Sequence, residues 1–309
     1  MAIGRRFARP EKYLTILESY GALSIQGESL CVRFSRRTGQ LVSLCRKGQE
    51  YLSAPLRPSF WRACTDNDRG NHMPVRCAVW RFAGQNCIYA PYTVAAQDAP
   101  RGVVRVTSRF IIPSEPACDG VLTYTITQAG VLVELQFQPD GRLPELPEVG
   151  VCFETAASYE SLTYLGRGPQ ENYSDRQAAA DIGLYNIPID EMYVPYLRPQ
   201  ENGARTDVRF ASLQGEKRSL RIESVEETPF TLSVCRWSPE ELEAATHEKD
   251  LPESGRLFVR VLARQAGLGG DNSWGALPQE QHRLPSGRPY QLRFALIPDC
   301  LLYKSDAAD

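Results

Sequence analysis

The chain has 309 residues and a mass of 34.6 kDa, enough to bury roughly three quarters of its unfolded surface in a core that needs no covalent staples. Lys and Arg number 35 against 37 Asp and Glu, and the formal charge of −2 argues against nucleic acid or an anionic membrane as partner. No apolar run of about 18 residues occurs, so no membrane-spanning helix is expected.

Residues 1–12 carry arginines and no apolar stretch, which makes a loose lead-in and not a signal peptide. Strand signals then dominate. Residues 103–112 and 121–127 are β-branched and aromatic, and Gln128-Ala129-Gly130 reads as a tight turn into residues 131–138. There Val133, Leu135 and Phe137 alternate with Glu134, Gln136 and Gln138, the period of a half-buried strand. Further strands are expected at 220–223, 230–234, 257–262 and 290–296. One helix start is well marked: Ser238 as N-cap, Pro239 at the first helical position and Glu241 three residues after the cap. It should run to about His247, since Pro252 and Gly255 follow. Many short strands broken by Gly and Pro, with minimal helix, predict an all-β fold, a large β-sandwich forming one domain over residues 13–309.

The nine cysteines are odd in number and contain no C-x-x-C pair. Those at Cys45, Cys152 and Cys235 sit in strand-like surroundings, so free, buried thiols in a reducing cytoplasm are expected. Only three histidines occur, His72, His247 and His282, none at ligand spacing to a cysteine, so no zinc site is expected.

Four polar segments stand apart from the strands. Asp66-Asn67-Asp68-Arg69-Gly70-Asn71-His72 suits Asx-type turn chemistry ahead of a mobile loop, with Asp66 and Asp68 fixing its base. Gly166-Arg167-Gly168-Pro169 followed by Glu171-Asn172-Tyr173 reads as a rigid turn. Arg167, Glu171, Asp175 and Arg176 could form an ion-pair network that docks it on a neighbour. Tyr193-Val194-Pro195-Tyr196-Leu197-Arg198-Pro199 offers aromatics for a contact surface, and Gln200-Glu201-Asn202-Gly203 closes it with a turn, Gly203 suiting positive φ. The last segment, Asp271-Asn272-Ser273-Trp274-Gly275, follows Gly267, Gly269 and Gly270. Its tryptophan is either a plug folded over the core or an aromatic platform for a sugar ring whose hydroxyls meet Asp271 and Asn272.

Pro58-Ser59-Phe60-Trp61-Arg62-Ala63-Cys64-Thr65-Asp66-Asn67-Asp68-Arg69-Gly70 resembles the F-W-R-A-x-T-D-N-D-R-G signature of the C-terminal domain of bacterial β-galactosidases, in glycoside hydrolase family 2. Residues 166–176, 193–203 and 269–275 resemble further motifs of that family, in family order, so the likeness spans roughly residues 15–298. The resemblance implies a β-supersandwich similar to galactose mutarotase. It also implies that the acid/base and nucleophile glutamates lie on a separate (β/α)8 barrel. This chain lacks the strand–helix alternation that such a barrel needs over about 250 residues. It therefore resembles a small subunit of a two-gene β-galactosidase, or the C-terminal part of a longer enzyme that cleaves β-D-galactosides such as lactose with retention.

The same resemblance implies roles for individual residues. Trp274, Asp271 and Asn272 would bind substrate, with Trp274 as platform for the aglycone glucose. Asp68, Gly70 and Asn71 would form a moving rim loop with Gly70 as hinge. Arg167, Glu171, Tyr173, Asp175, Arg176, Glu201 and Asn202 would serve structure or an interface. No catalytic residue, metal or cofactor is assigned to this chain, which alone should be inactive. Mg2+ and Na+ belong on the barrel partner or large subunit. Two rivals are a stand-alone carbohydrate-binding module and a mutarotase-like aldose epimerase. The latter wants a His acid and a carboxylate base facing one pocket, and no histidine here sits in such a motif.

Overall fold

Along Val104–Ile112, Val104, Val106, Ser108, Phe110 and Ile112 are buried while Arg105, Arg109 and Ile111 face solvent, the two-residue period of a strand with one wet face. The computed structural model, which describes residues 13–96, 102–272 and 275–298, pairs this strand with Cys118–Thr127 in antiparallel register. Gly120 lies opposite Phe110 there. A β-carbon at Gly120 would sit 2.2 Å from the tip of the Phe110 ring, so the glycine makes room for it. Phe110 belongs to a knot of rings with Phe60, Trp80 and Phe137, in which Phe60 and Phe137 lie 4.6 Å apart. The Trp80 indole N–H donates to the Pro144 carbonyl at 3.1 Å, satisfying its one polar group.

All strand pairs are antiparallel among the described residues and fall into three sheets. The first is a five-stranded meander over Thr15–Glu18, Ala22–Gln26, Leu30–Ser35, Leu41–Arg46 and Gln49–Glu50. The ten-stranded sheet runs from the edge strand Asp181–Pro188 through Ser161–Gly168, Phe210–Gln214, Ser219–Ser224, Tyr290–Pro298, Gly130–Phe137 and Cys118–Thr127 to Val104–Ile112, whose far side takes Ile88–Tyr89 and Thr93–Ala95. The third has the order Arg205–Val208, Phe230–Cys235, Arg256–Gln265, Glu148–Ala156, Ala54–Ser59. Phe230–Cys235 is buried at every position. Its sequence alternates, with Thr231 and Ser233 between Phe230, Leu232 and Val234, yet the polar positions are buried as well, so the strand is covered on both faces.

The expected strands all occur, several extended by one to three residues at an end. The helix begins at its expected cap: the Ser238 hydroxyl accepts from Glu241 N, and Glu241 Oε2 accepts from Ser238 N at 2.8 Å. It spans only Pro239–Ala244, short of His247. Asp250 explains the early stop, because its carboxylate accepts from His247 N and from the Thr246 hydroxyl and starts a separate 3-10 turn. The eight described cysteines are free, but Cys31, Cys45 and Cys87 are only partly buried, against the expectation of fully buried thiols. No helix among the described residues is long and apolar enough to cross a membrane.

Candidate functional site

The segment expected as a loop at Asp66–Gly70 is a short helix. Thr65 caps it and the Asp68 carboxylate accepts in return from Thr65 N at 2.9 Å, a reciprocal capping box. The T-x-x-D spacing carries this signal, and reading the run only as Asx turns missed it. Asp68 is not on a rim surface: it is 1% exposed and holds the equally buried Arg62 through both oxygens. Arg62 also donates to the Gly267 carbonyl at 3.1 Å, so one buried ion pair ties this helix to the glycine-rich segment.

That segment packs directly against the helix. Asn67 Nδ2 donates to the Leu268 carbonyl at 3.3 Å. Gly70 lies in the helix, where no left-handed φ requires a glycine. Its hinge reading therefore finds no backbone signature, and close approach is the reason on view: a β-carbon there would meet the Gly275 Cα at 3.3 Å. Gly275 is the more demanding position, with φ of +86° and only 2.3 Å between a would-be β-carbon and the Gly70 carbonyl oxygen. Asn71 is buried, and its side-chain oxygen accepts from Met73 N at 3.1 Å and from Arg76. Asp271 and Asn272 are exposed on the glycine-rich segment, where Asn272 Oδ1 accepts from Ala276 N at 3.2 Å. Ser273 and Trp274 lie outside the described residues.

The expected network of Arg167, Glu171, Asp175 and Arg176 divides into three separate fastenings. Arg167 pairs with Asp207, on the strand Arg205–Val208. Asp175 accepts from Gly269 N at 2.8 Å and packs on Gly267, whose place a β-carbon could not share at 2.4 Å. Only Glu171 and Arg176 pair with each other, and Tyr196 donates to the same carboxylate. Glu171 further accepts from Gly203 N at 2.7 Å. Gly203 has φ of +75°, as its turn position suggested. Arg176 lies over the Tyr173 ring at 5.1 Å, while Tyr173 itself is buried. Asn202 is buried as well, its oxygen accepting from Val194 N at 3.2 Å. The split follows from geometry: residues 171–176 face two different neighbours, the glycine-rich segment and the 196–203 turn.

Glu201 belongs to a cluster that sequence reasoning did not foresee. Arg260, 3% exposed, donates to Glu148 at 2.6 Å and to both oxygens of Glu201 at 2.7 and 2.8 Å. Ser59 donates to Glu148 at 2.6 Å and Gln265 Nε2 to Glu201 at 2.9 Å. The available signal was Arg260 itself, a lone charge inside Leu257-Phe258-Val259-Arg260-Val261-Leu262, since a charge on a buried strand persists only with partners. Burial pushes the Glu148 carboxyl up to about 7; the Arg260 charge lowers it and Glu201 raises it further. Glu148 and Glu201 share one guanidinium, yet both are shut away from solvent, so this pair cannot act on a substrate.

A carboxyl raised on folding, here from an ordinary 4.5, contributes stability that is complete below the unfolded value and lost as pH rises through the folded one. The thermal midpoint should therefore fall between about pH 5 and 8. Glu148→Gln, which keeps the side-chain volume and one accepting oxygen for Arg260, should flatten that decline. Melting curves across the range check this, and an undiminished slope in the variant would assign the pH dependence to other groups.

The histidines do not converge. His72 has a left-handed backbone before the helix Met73–Arg76, His247 pairs with Asp250, and His282 lines a separate cleft. An epimerase acid–base pair built on histidine is thus not assembled at the motif junction.

The family model described as the β-galactosidase small chain matches residues 26–296. The chain belongs to the β-galactosidase small chain family. The β-galactosidase of Priestia megaterium is 37% identical over 292 residues, covering 92% of this chain and 27% of that protein. The β-galactosidase of Streptococcus thermophilus is 32% identical, with 92% and 28% covered. The chain thus spans about a quarter of the length of these relatives. The β-galactosidase small subunit of Latilactobacillus sakei is 28% identical, and there the match covers 94% of this chain and 99% of that one. Among solved structures, a galactose mutarotase-like protein from Clostridium acetobutylicum superposes with a TM-score of 0.52 at 10% identity, covering 93% of this chain and 99% of that one. A galactose mutarotase related enzyme from Lactobacillus acidophilus gives 0.51 at 11% identity, covering 90% and 97%. These two likenesses concern the fold, which is a mutarotase-like all-β supersandwich.

Proposed function

We propose that this chain is the small-subunit portion of a retaining β-galactosidase, completing an active site whose catalytic glutamates lie on a separate (β/α)8 barrel. One observation carries the reading. The same unit matches about a quarter of long β-galactosidases and almost all of a protein named as a small subunit. A unit that occurs both fused and free is one that assembles with the remainder.

In this reading the junction of helix Asp66–Gly70 with the glycine-rich segment faces the shared pocket. Trp274 offers its ring to the aglycone glucose, Asp271 and Asn272 supply hydrogen bonds, and Asp68 and Asn71 hold the rim from behind. Exposed Leu197, beside the Glu171–Arg176–Tyr196 cluster, belongs to the surface that meets the partner. We assign the Mg2+ and Na+ of the resemblance to the barrel portion. Free thiols at all eight described cysteines favour a reducing compartment, and we place the enzyme in the cytoplasm, acting on lactose.

The test is reconstitution. The purified chain should hydrolyse no chromogenic β-galactoside, and addition of a matching barrel-bearing subunit should give turnover. Activity of the lone chain that survives further purification, or no turnover with any such subunit, overturns the reading. In the assembled enzyme Trp274→Leu should weaken acceptor glucose about tenfold, since stacking a sugar face is worth on the order of 1 to 3 kcal/mol. Unfolding with unchanged glucose affinity would instead make Trp274 a core plug.

A further inference from the structure

Three side chains hold the base of the glycine-rich segment by its backbone. Arg62 donates to the Gly267 carbonyl at 3.1 Å and Asn67 to the Leu268 carbonyl at 3.3 Å, both from residues 62–70. Asp175 accepts from Gly269 N at 2.8 Å, and it comes from a different part of the chain, residues 171–176. Its bond is the last of the three before the segment emerges, since Gly267 and Leu268 are buried while Gly270, Asp271 and Asn272 are exposed. We propose, resting on the reading above in which Asp271 and Asn272 bond the aglycone glucose, that Asp175 is a positioning residue for the acceptor side of that reaction. It aims those two side chains without touching the sugar.

Asp175 stands on a firm mount. Tyr173 N donates to the Arg176 carbonyl at 3.2 Å and Arg176 N to the Tyr173 carbonyl at 2.8 Å, closing a tight turn with Ser174 and Asp175 at its tip. Tyr173, 1% exposed, anchors this turn in a small apolar cluster with Ala204 and Leu268. The turn and the glycine-rich segment are therefore packed together at Leu268 and bonded at Gly269.

The segment is shaped to receive the carboxylate. A β-carbon at Gly267 would lie 2.4 Å from Asp175 Oδ2, while His282 comes no closer than 3.0 Å. Gly267 has no left-handed φ, so admitting Asp175 is the reason on view for a glycine there. Gly269 and Gly270 do have left-handed φ, +69° and +109°. Two successive glycines leave the backbone its widest choice of direction, so the course of residues 271–272 depends on what holds Gly269. A charged acceptor holds an N–H about twice as strongly as a neutral one. Asp175 Oδ1 is buried with no hydrogen-bond partner among the described residues, so the grip of this side chain runs through Oδ2.

Two variants break the contact from opposite sides. Asp175→Ala removes the carboxylate, and Gly267→Ala displaces it while leaving Asp175 in the chain. Hydrogen exchange of the isolated chain reads the contact without turnover, and both variants should speed exchange at residues 267–272. In the assembled enzyme both should weaken acceptor glucose about tenfold, the order of loss that a misplaced binding group brings. Inhibition by free galactose should keep its wild-type value, because in that reading galactose lies against the glutamates of the barrel. Asp175→Asn, which keeps an accepting oxygen, should restore most of the glucose affinity. Unchanged exchange in both variants overturns the proposal whether or not the enzyme reconstitutes. Faster exchange with wild-type glucose affinity makes Asp175 a purely structural fastening; it overturns the proposal and leaves the small-subunit reading intact. Equal loss of glucose and galactose affinity overturns it too, as a general disturbance of the pocket. Absence of turnover with the wild-type chain removes the small-subunit reading and the proposal with it.

Discussion

Replacing Arg260 with leucine should cost about 3 to 5 kcal/mol of folding stability, measured by denaturant unfolding. Leucine fits a strand whose neighbours Val259, Val261 and Leu262 are all buried, so packing is not the difficulty. The cost arises from what stays behind. Glu148 and Glu201 lose the guanidinium that holds both of them, and two buried carboxyls are left with hydroxyl and amide partners only. Burial alone would lower the Arg260 guanidinium, yet Glu148 and Glu201 hold it above its ordinary value, a measure of how strongly the three depend on one another. Combining Arg260→Leu with Glu148→Gln and Glu201→Gln should recover most of the loss, because no charge then remains buried. Failure of the triple variant to recover, with the single variant as costly as expected, would show that shape and not charge sets the requirement for arginine.

The strands and the Ser238 cap were legible in the sequence because they depend on neighbours in the chain. Alternation along residues 131–138 and a capping box at Ser238 are local patterns with local causes. The interior of the site was less legible for the opposite reason. Arg260 meets Glu201 across 59 positions and Glu148 across 112, and Arg62 meets the Gly267 carbonyl across 205. Motif resemblance marked Arg62 and a segment that begins two residues after Gly267, without saying that the two regions touch. It also grouped Arg167 with Glu171, where the fold sends Arg167 to Asp207 instead. The Asp66–Gly70 helix was readable in principle through Thr65 and Asp68, but short polar residues advertise turns and caps alike.

Asp68→Ala should be at least as damaging as loss of Arg260, and more local in its consequences. Arg62 is 1% exposed, and Asp68 is the carboxylate that it grips. Removing that carboxylate strands a buried cation, at about 3 to 5 kcal/mol, and opens the capping box of helix Asp66–Gly70, at about 1 kcal/mol. Arg62 would still reach the Gly267 carbonyl, which cannot neutralise it. Asp68→Asn retains the side-chain volume and one accepting oxygen, so its cost should fall between wild type and alanine. The variant Arg62→Met with Asp68→Leu should be milder than Asp68→Ala despite two substitutions, since it removes both charges together. Denaturant curves of the four proteins order these effects. Hydrogen exchange at residues 66–71 and 267–272 then distinguishes a local opening from global loss. Should Asp68→Asn match wild type in both measurements, the capping box and not the ion pair holds the helix against the glycine-rich segment. If the ion pair holds it, the two segments should gain exchange together, because Arg62 reaches both.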